Sequence, residues 1–191
     1  MASQKRRPRE SVQAAVATAS SARPQLAWSN DDARRPFLRA RPAYPQISAK
    51  ALRAVSEMAG ARYYIPPAML ARILREADPV ATVSTDAIRF EGFSACCSAY
   101  IRLDLDDEAF IDLAERSSGT TNVDFGNTMK QALARVRPDA GLNLQIDSDA
   151  VSIQHERGCA REEKVPLPSR WIRGFAEVQQ HMAAMEHAFS L

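Results

Sequence analysis

The hydrophobic and polar positions of residues 120–167 follow a strand-like period, then a helical period, then a strand-like period again. Residues 120–125 alternate with a period of two, which is typical of a half-buried strand. Asn127 can cap a helix whose apolar positions lie three and four residues apart. Two alternating runs around a turn at 148–149, and a third run over 162–167, indicate three more strands. The stretch therefore predicts a β-α-β-β-β unit.

Residues 61–105 repeat this order of elements and predict a first unit. Tyr63, Tyr64 and Ile65 predict its opening strand, and the prolines at 66 and 67 start its helix. Three strands follow, and the hairpin turn at 85–86 matches that of the second unit in chemistry and phase. Two explanations are open: an internal duplication, or a chance resemblance of two common supersecondary units.

Three further helices are predicted outside the two units. The first runs from Ser48 to Gly60, the second is a short connecting helix over 109–113, and the third closes the chain over 169–189. The first part of the closing helix should pack onto the sheet of the second unit through Trp171, Ile172, Phe175 and Val178. Its last part has no further domain in this sequence to cover it and should be exposed, self-associated or folded against the helix at Ser48–Gly60. The residues of this candidate interaction surface are Met182, Met185 and Phe189.

These elements predict an α+β fold with two consecutive β-α-β-β-β units, mainly antiparallel sheet and a C-terminal helix. Residues 1–46 lack a sustained apolar period and predict a disordered basic arm, so 47–191 would form a single domain.

Charge is distributed unevenly between this arm and the domain. Residues 1–50 carry ten Lys and Arg against three Asp and Glu, a net charge of +7, whereas the remainder carries fifteen against twenty, a net charge of −5. Such an arm can bind nucleic acid weakly and without sequence specificity, or it can be a solvated tail. The basic residues expected to make nucleic-acid contacts are Lys5, Arg6, Arg7, Arg9, Arg34 and Arg35.

The three cysteines do not form a disulfide framework, which fits a reducing, cytoplasmic compartment. No apolar run approaches the roughly 20 residues needed to span a bilayer, so no membrane association is predicted.

Four segments resemble the N-terminal region of bacterial SWIM zinc-finger family proteins. In order along the chain they are RYYIPPAML at 62–70, FEGFSACC at 90–97, GTTNVD at 119–124 and EKVPLPSRWIRGFAEVQ at 163–179. The resemblance implies a binding or scaffold module that mediates protein or nucleic-acid interactions. The order of elements also resembles the layout of one sliding-clamp domain, an analogy that does not establish function.

The zinc finger of that family is not found in this sequence. A SWIM finger has a Cys-x-Cys pair followed by Cys-x-His, whereas the chain has only Cys96, Cys97 and Cys159. No zinc ligand is therefore carried over, and zinc is expected only in family members that retain the finger. The chain resembles a truncated gene, a split gene or a stand-alone paralogue, so we expect a protein partner or a missing C-terminal domain.

Other candidate sites have ordinary structural explanations. The three cysteines with His155 could form a zinc set, although adjacent cysteines are poor joint ligands. The acidic residues of 104–112 are more typical of helix caps than of a metal site. Basic residues around Trp171 could bind nucleic acid, but inward packing of the Trp is favoured.

No catalytic residue or cofactor is predicted. The alternatives are a small hydrolase that uses His155 with an acidic partner such as Asp124, or a non-functional truncated product.

Overall fold

The computed structural model describes residues 36–64, 66–69 and 78–184. Within these ranges the chain begins with one strand and one long helix and then forms three strands. Their bounds are β1 (Leu38–Pro42), α1 (Pro45–Gly60), β2 (Val80–Val83), β3 (Ile88–Phe93) and β4 (Tyr100–Leu105).

A short 3-10 turn, Asp107–Ala109, then leads into the second half of the chain. This half again contains a strand, a helix and three strands, with one extra strand before them and one helix after them. The bounds are β5 (Phe110–Arg116), β6 (Gly119–Asn122), α2 (Asn127–Ala134), β7 (Leu142–Ile146), β8 (Ala150–His155), β9 (Gly158–Glu163) and α3 (Ser169–Ala183).

The strands form two antiparallel sheets. The opening strand of each β-α-β-β-β unit lies in the sheet formed by the last three strands of the other unit. The five-stranded sheet has the order β5-β1-β7-β8-β9, and the four-stranded sheet has the order β4-β3-β2-β6. Leu38 of β1 thus pairs with Ile146 of β7, and Val80 of β2 pairs with Asn122 of β6. Each sheet therefore contains strands from both halves of the chain.

One hydrophobic core joins the two sheets with α1 and α2. The two helices contact each other, while α1 also lies against β3 and β4, and α2 lies against β9. Leu52, Phe90, Met129 and Leu144 are among its fully buried side chains. Burial of each such side chain contributes about 1.5–3 kcal/mol to the stability of the folded chain.

The predicted fold class is confirmed: the chain is α+β, with two β-α-β-β-β units in antiparallel sheets and a C-terminal helix. The hairpin turns at 85–86 and 148–149 are both present. The predicted strands around residues 142–146 and 151–153 match β7 and β8.

The opening strand and helix of the first unit lie earlier in the chain than predicted. Residues 36–46, assigned to the arm, contain β1 and the start of α1 instead. Tyr63 and Tyr64 are exposed and belong to no strand. In β1, Leu38 and Ala40 belong to the hydrophobic core and Pro42 is also buried, and the arginines between them hid this short strand. Residues 67–69 are helical, while 1–35, 65 and 70–77 lie outside the described residues.

Two further predictions are corrected. Residues 110–113 are not helical but belong to β5, which pairs with β1 at the edge of the sheet. The Asp106 carboxylate accepts a hydrogen bond from the Ala109 N–H and so closes a 3-10 turn that ends before the strand. The last strand runs over Gly158–Glu163 rather than 162–167, because the β8–β9 hairpin turns tightly and His155 already pairs with Gly158.

Candidate interaction surface

Three elements meet at one end of the four-stranded sheet. The chain leaves α1 through residues 61–64, and the Ala95 N–H of the β3–β4 loop donates to the Ala61 carbonyl at 2.8 Å. Ala59 of α1 shares a buried cluster with Phe93 of β3 and Trp171 of α3. Residues 59–64, the loop 94–99 and the start of α3 therefore form one continuous region, here named the aromatic end.

Aromatic rings in edge-to-face and tilted contact hold α3 at the aromatic end. Trp171 is fully buried, and the centroid of its ring lies 5.8 Å from that of Phe93. Phe175 lies 5.1 Å from Phe93 and 6.4 Å from Tyr100. A Cβ atom at Gly174 would stand 2.7 Å from the Phe93 ring, so only glycine permits this approach. The first half of the helix thus packs against β3 and β4 through these rings.

This packing confirms the buried position of Trp171 and corrects its partner. The predicted contact was the sheet of the second unit, but Trp171, Phe175 and Val178 pack against strands of the first unit, at Val80 and Phe93. The reason is topological, because α3 follows β9 yet crosses to the four-stranded sheet. Sequence periodicity predicts an apolar face but cannot identify the sheet that receives it.

Large apolar side chains remain exposed around this buried cluster. Tyr63 is 96% exposed, Tyr64 is 69% exposed, and Ile172, which was predicted to pack, is 56% exposed. Met182 is also exposed, as expected, and its sulfur lies 3.6 Å from Nη1 of Arg102. The other two residues of the predicted interaction surface, Met185 and Phe189, lie outside the described residues.

The loop between β3 and β4 holds a polarised thiol. The Cys96 sulfur lies 3.0 Å from the Ser98 hydroxyl and accepts the Tyr63 N–H at 3.3 Å. These two hydrogen bonds, with a third to Ser94, lower the pKa of Cys96 to about 6. Cys97 follows in the left-handed region with φ of 57°, which is uncommon for a residue with a side chain. A lowered pKa favours the thiolate, the nucleophilic form of cysteine, which makes Cys96 a candidate reactive thiol that the sequence did not suggest.

The structure separates the cysteine and histidine residues proposed as a zinc set. Cys96 and Cys97 lie in the loop beside the four-stranded sheet, whereas His155 and Cys159 lie in the β8–β9 hairpin of the other sheet. Among the described residues, no group of three or more His, Cys, Asp or Glu side chains is arranged to hold a metal ion.

His155 and Asp124 do not form a catalytic pair. His155 is buried rather than half-exposed, its Nδ1 accepts the Arg157 N–H at 3.3 Å, and burial lowers its pKa. The Asp124 N–H donates to the carbonyl of Glu163, which lies at the other end of the β8–β9 hairpin. Five residues of strand separate the two ends, a distance of roughly 17 Å.

Of the acidic residues of 104–112, Asp106 caps the 3-10 turn, while Asp104 and Asp107 form ion pairs with arginines instead of capping a helix. Asp104 bridges Arg89 and Arg102 across two strands, at 2.8 and 2.6 Å. Asp107 pairs with Arg116. The basic residues assigned to nucleic-acid contact, Lys5 to Arg9 and Arg34 and Arg35, lie outside the described residues.

A different carboxylate cluster was missed. Asp78, Asp124 and Glu162 come from three distant segments and lie around the start of α2. The sequence gives one indirect sign of it, because the first turn of α2 contains no acidic residue or side-chain cap of its own.

Similarity to known proteins is limited to the fold. No protein-family model matches the chain, and no curated protein matches it. A sliding clamp (DNA polymerase III subunit beta) from Bartonella birtlesii, solved with griselimycin bound, has 11% identity and a TM-score of 0.47 over 69% of this chain and 32% of its own. DNA polymerase III subunit beta from Borrelia burgdorferi has 10% identity and a TM-score of 0.46, over 71% and 32%. The Entamoeba histolytica Proliferating Cellular Nuclear Antigen has 15% identity and a TM-score of 0.46, over 71% and 53%.

This chain therefore spans about a third of the two bacterial clamps and about half of the Entamoeba protein. These similarities assign neither a partner nor a residue role to this chain. Within the part of the chain that the structure describes, no helix has both the length and the apolar character needed to cross a membrane.

Proposed function

We propose that this chain is a non-catalytic protein-interaction module that receives a protein partner at the aromatic end. The observation that carries the proposal is the exposure of Tyr63 and Tyr64 beside the aromatic cluster around the buried Trp171. Tyrosine and other large apolar side chains are enriched where proteins bind each other, because they bury much area at low entropic cost.

The shape of this region also favours a protein partner over a small substrate. Residues 60–64 line a cleft of about 540 Å³ that is broadly open to solvent. Small-molecule sites are usually concave and enclose most of their ligand, whereas an open cleft suits a side chain from a docking surface.

The resemblance to SWIM zinc-finger proteins supports the same region. Three of the four resembling segments, 62–70, 90–97 and 163–179, contribute residues to the aromatic end. We therefore propose that the chain corresponds to the N-terminal part of such a protein. Its partner would then carry the finger, either on a separate polypeptide or in a further domain.

A photo-crosslinking amino acid placed at position 64 tests the proposed surface. Position 44 is the matched control, because Tyr44 is also exposed and lies at the opposite end of α1. In cells of the source organism, position 64 should yield one major crosslinked protein and position 44 should not. The purified partner should then bind Tyr63→Ser/Tyr64→Ser at least about tenfold more weakly than Tyr44→Ser, a change of about 1.4 kcal/mol. Equal binding by the two variants would overturn the proposal.

The nucleotide sequence downstream of the gene tests the family assignment separately. A reading frame that encodes Cys-x-Cys followed by Cys-x-His would support it. A crosslinked partner without such a motif would leave the interaction surface intact and refute only the SWIM correspondence.

A further inference from the structure

Carboxylates from three separate segments surround the start of α2. Asp78 lies just before β2 and is only 8% exposed. The pairing of β2 with β6, in which Val80 stands opposite Asn122, continues through the bond from the Val123 N–H to the Pro79 carbonyl, so Asp78 stands opposite Asp124. Glu162 of β9 accepts the Met129 N–H at 3.3 Å. A Cβ atom at Gly126 would stand 3.2 Å from Oε1 of Glu162 and 3.5 Å from Oδ1 of Asp124, so these two groups lie on either side of the residue that begins the helix.

A hydrogen bond between the carboxyl groups of Asp78 and Asp124 requires a proton. Two ionised carboxylates only accept hydrogen bonds, so one of them must be protonated for a bond to join them. Asp124 is exposed to water, which solvates its charge, whereas Asp78 is buried. The buried partner is therefore the one that retains the proton.

The surroundings of Asp78 compensate its charge only in part. Lys130 of α2 and the Phe125 N–H favour the ionised form, while burial and the charge of Asp124 oppose it. Burial is the largest of these effects, and together they raise the pKa of Asp78 to about 7. Glu162, the third carboxylate at this helix start, also has a raised pKa, mainly because of burial.

We propose that Asp78 and Asp124 form a proton-dependent latch that fastens the entry of β2 to the β6–α2 junction. When Asp78 is protonated, its hydroxyl donates to Asp124 and holds the two segments together. The same junction contains the bond from the Val123 N–H to the Pro79 carbonyl, at 3.3 Å. When the proton is lost, two adjacent negative charges repel each other and the junction loosens. The latch does not depend on the proposed function.

The sign of the stability change follows from proton linkage. The folded chain retains the proton of Asp78 at higher pH than the unfolded chain, in which the pKa is near the ordinary 3.8. The stabilisation is therefore complete below about pH 4 and is lost as the pH rises through about 7. His155 also titrates differently in the folded chain, but burial lowers its pKa, so its contribution has the opposite sign.

Urea unfolding between about pH 5 and pH 8, compared across three proteins, tests the latch. The wild type should unfold at progressively lower urea concentration as the pH rises. Asp78→Asn places an amide N–H where the proton was, so most of this decline should disappear. Asp139→Asn, an exposed aspartate in the turn after α2, should retain the wild-type decline. Identical declines in Asp78→Asn and Asp139→Asn would overturn the proposal.

Two measurements on the wild type keep the proposal testable if Asp78→Asn does not fold. The carboxyl ¹³C resonance of Asp78 should titrate with a midpoint near 7, and a midpoint near 4 would refute the latch. Hydrogen exchange at the Val123 amide should accelerate between about pH 5 and pH 8 by more than the tenfold per pH unit of base catalysis. Acceleration that follows base catalysis alone would show that the junction does not loosen.

Discussion

The indole ring of Trp171 lies against Gly92, such that a Cβ atom at position 92 would stand 3.3 Å from Cη2 of the ring. This contact joins the C-terminal helix to the middle strands of the four-stranded sheet. It also explains why a glycine interrupts β3 between two large residues, Phe90 and Phe93, because a side chain there would displace the indole.

Trp171→Ala should destabilise the chain by about 3–5 kcal/mol, since it removes a fully buried ring and leaves a cavity. Ile172→Ala, one position further on the same helix, should change the free energy of unfolding by less than about 0.5 kcal/mol, since Ile172 is exposed. Urea unfolding followed by circular dichroism measures both. Equal losses would show that α3 packs through a different face.

Cys96 should be the fastest-reacting thiol of the described chain at neutral pH. Its reaction with iodoacetamide should increase with pH around a midpoint near 6, because hydrogen bonds from Ser98 and Tyr63 favour the thiolate. Ser98→Ala should move this midpoint upward. Mass spectrometry of the alkylated peptides assigns the reaction to Cys96 or to Cys97. A midpoint that does not change in Ser98→Ala would contradict the assigned cause.

The purified protein should carry no stoichiometric zinc, because the ligands of a closed site are divided between the two sheets. Metal analysis after dialysis measures this. About one zinc ion per chain, lost in Cys96→Ser/Cys159→Ser, would contradict the prediction.

The second unit could be predicted from sequence because its local signals agree with its tertiary structure. The strands β7 and β8 alternate cleanly around a polar turn, and α2 has a helical period. The opening strand of the first unit was predicted at the wrong position, because two exposed tyrosines carry the strongest β propensity in their region. The true strand, β1, has only two residues in the hydrophobic core. Propensity cannot distinguish a side chain that packs in the core from one that stays exposed.

The aromatic end and the carboxylate latch could be predicted only in part, for a similar reason. The apolar stripe of α3 was evident, but its position beside residues 59–64 and 94–99 depends on a crossover between sheets. Asp78 and Asp124 are separated by 46 positions in the sequence (124 minus 78). No local pattern indicates their contact, which arises because β2 and β6 are neighbours in the four-stranded sheet.

Glu162 should act as a cap for α2, although it belongs to another element. Glu162→Ala should cost about 0.5–2 kcal/mol, the usual range for loss of a helix cap, because the Met129 N–H then loses its acceptor. Glu162→Gln keeps an acceptor oxygen and should cost less. Glu163→Ala, a change at the exposed neighbour, should be nearly neutral. A larger loss in Glu163→Ala than in Glu162→Ala would show that the cap is not the stabilising contact.

Removal of residues 1–46 should abolish cooperative unfolding, contrary to the expectation from sequence that this arm is dispensable. The deletion removes β1, which lies between β5 and β7 and buries Leu38 and Ala40 in the core. A variant that begins at residue 36 keeps this strand and should retain a cooperative thermal transition.

The same two variants test the basic arm, because both lack Lys5 to Arg9 and Arg34 and Arg35. We expect the full chain to bind a labelled DNA duplex weakly, with affinity that falls between about 50 and 200 mM salt, and the variant from residue 36 not to bind. A cooperative transition in the variant that lacks residues 1–46 would contradict the first expectation. Salt-insensitive binding of DNA by the variant that begins at residue 36 would contradict the second.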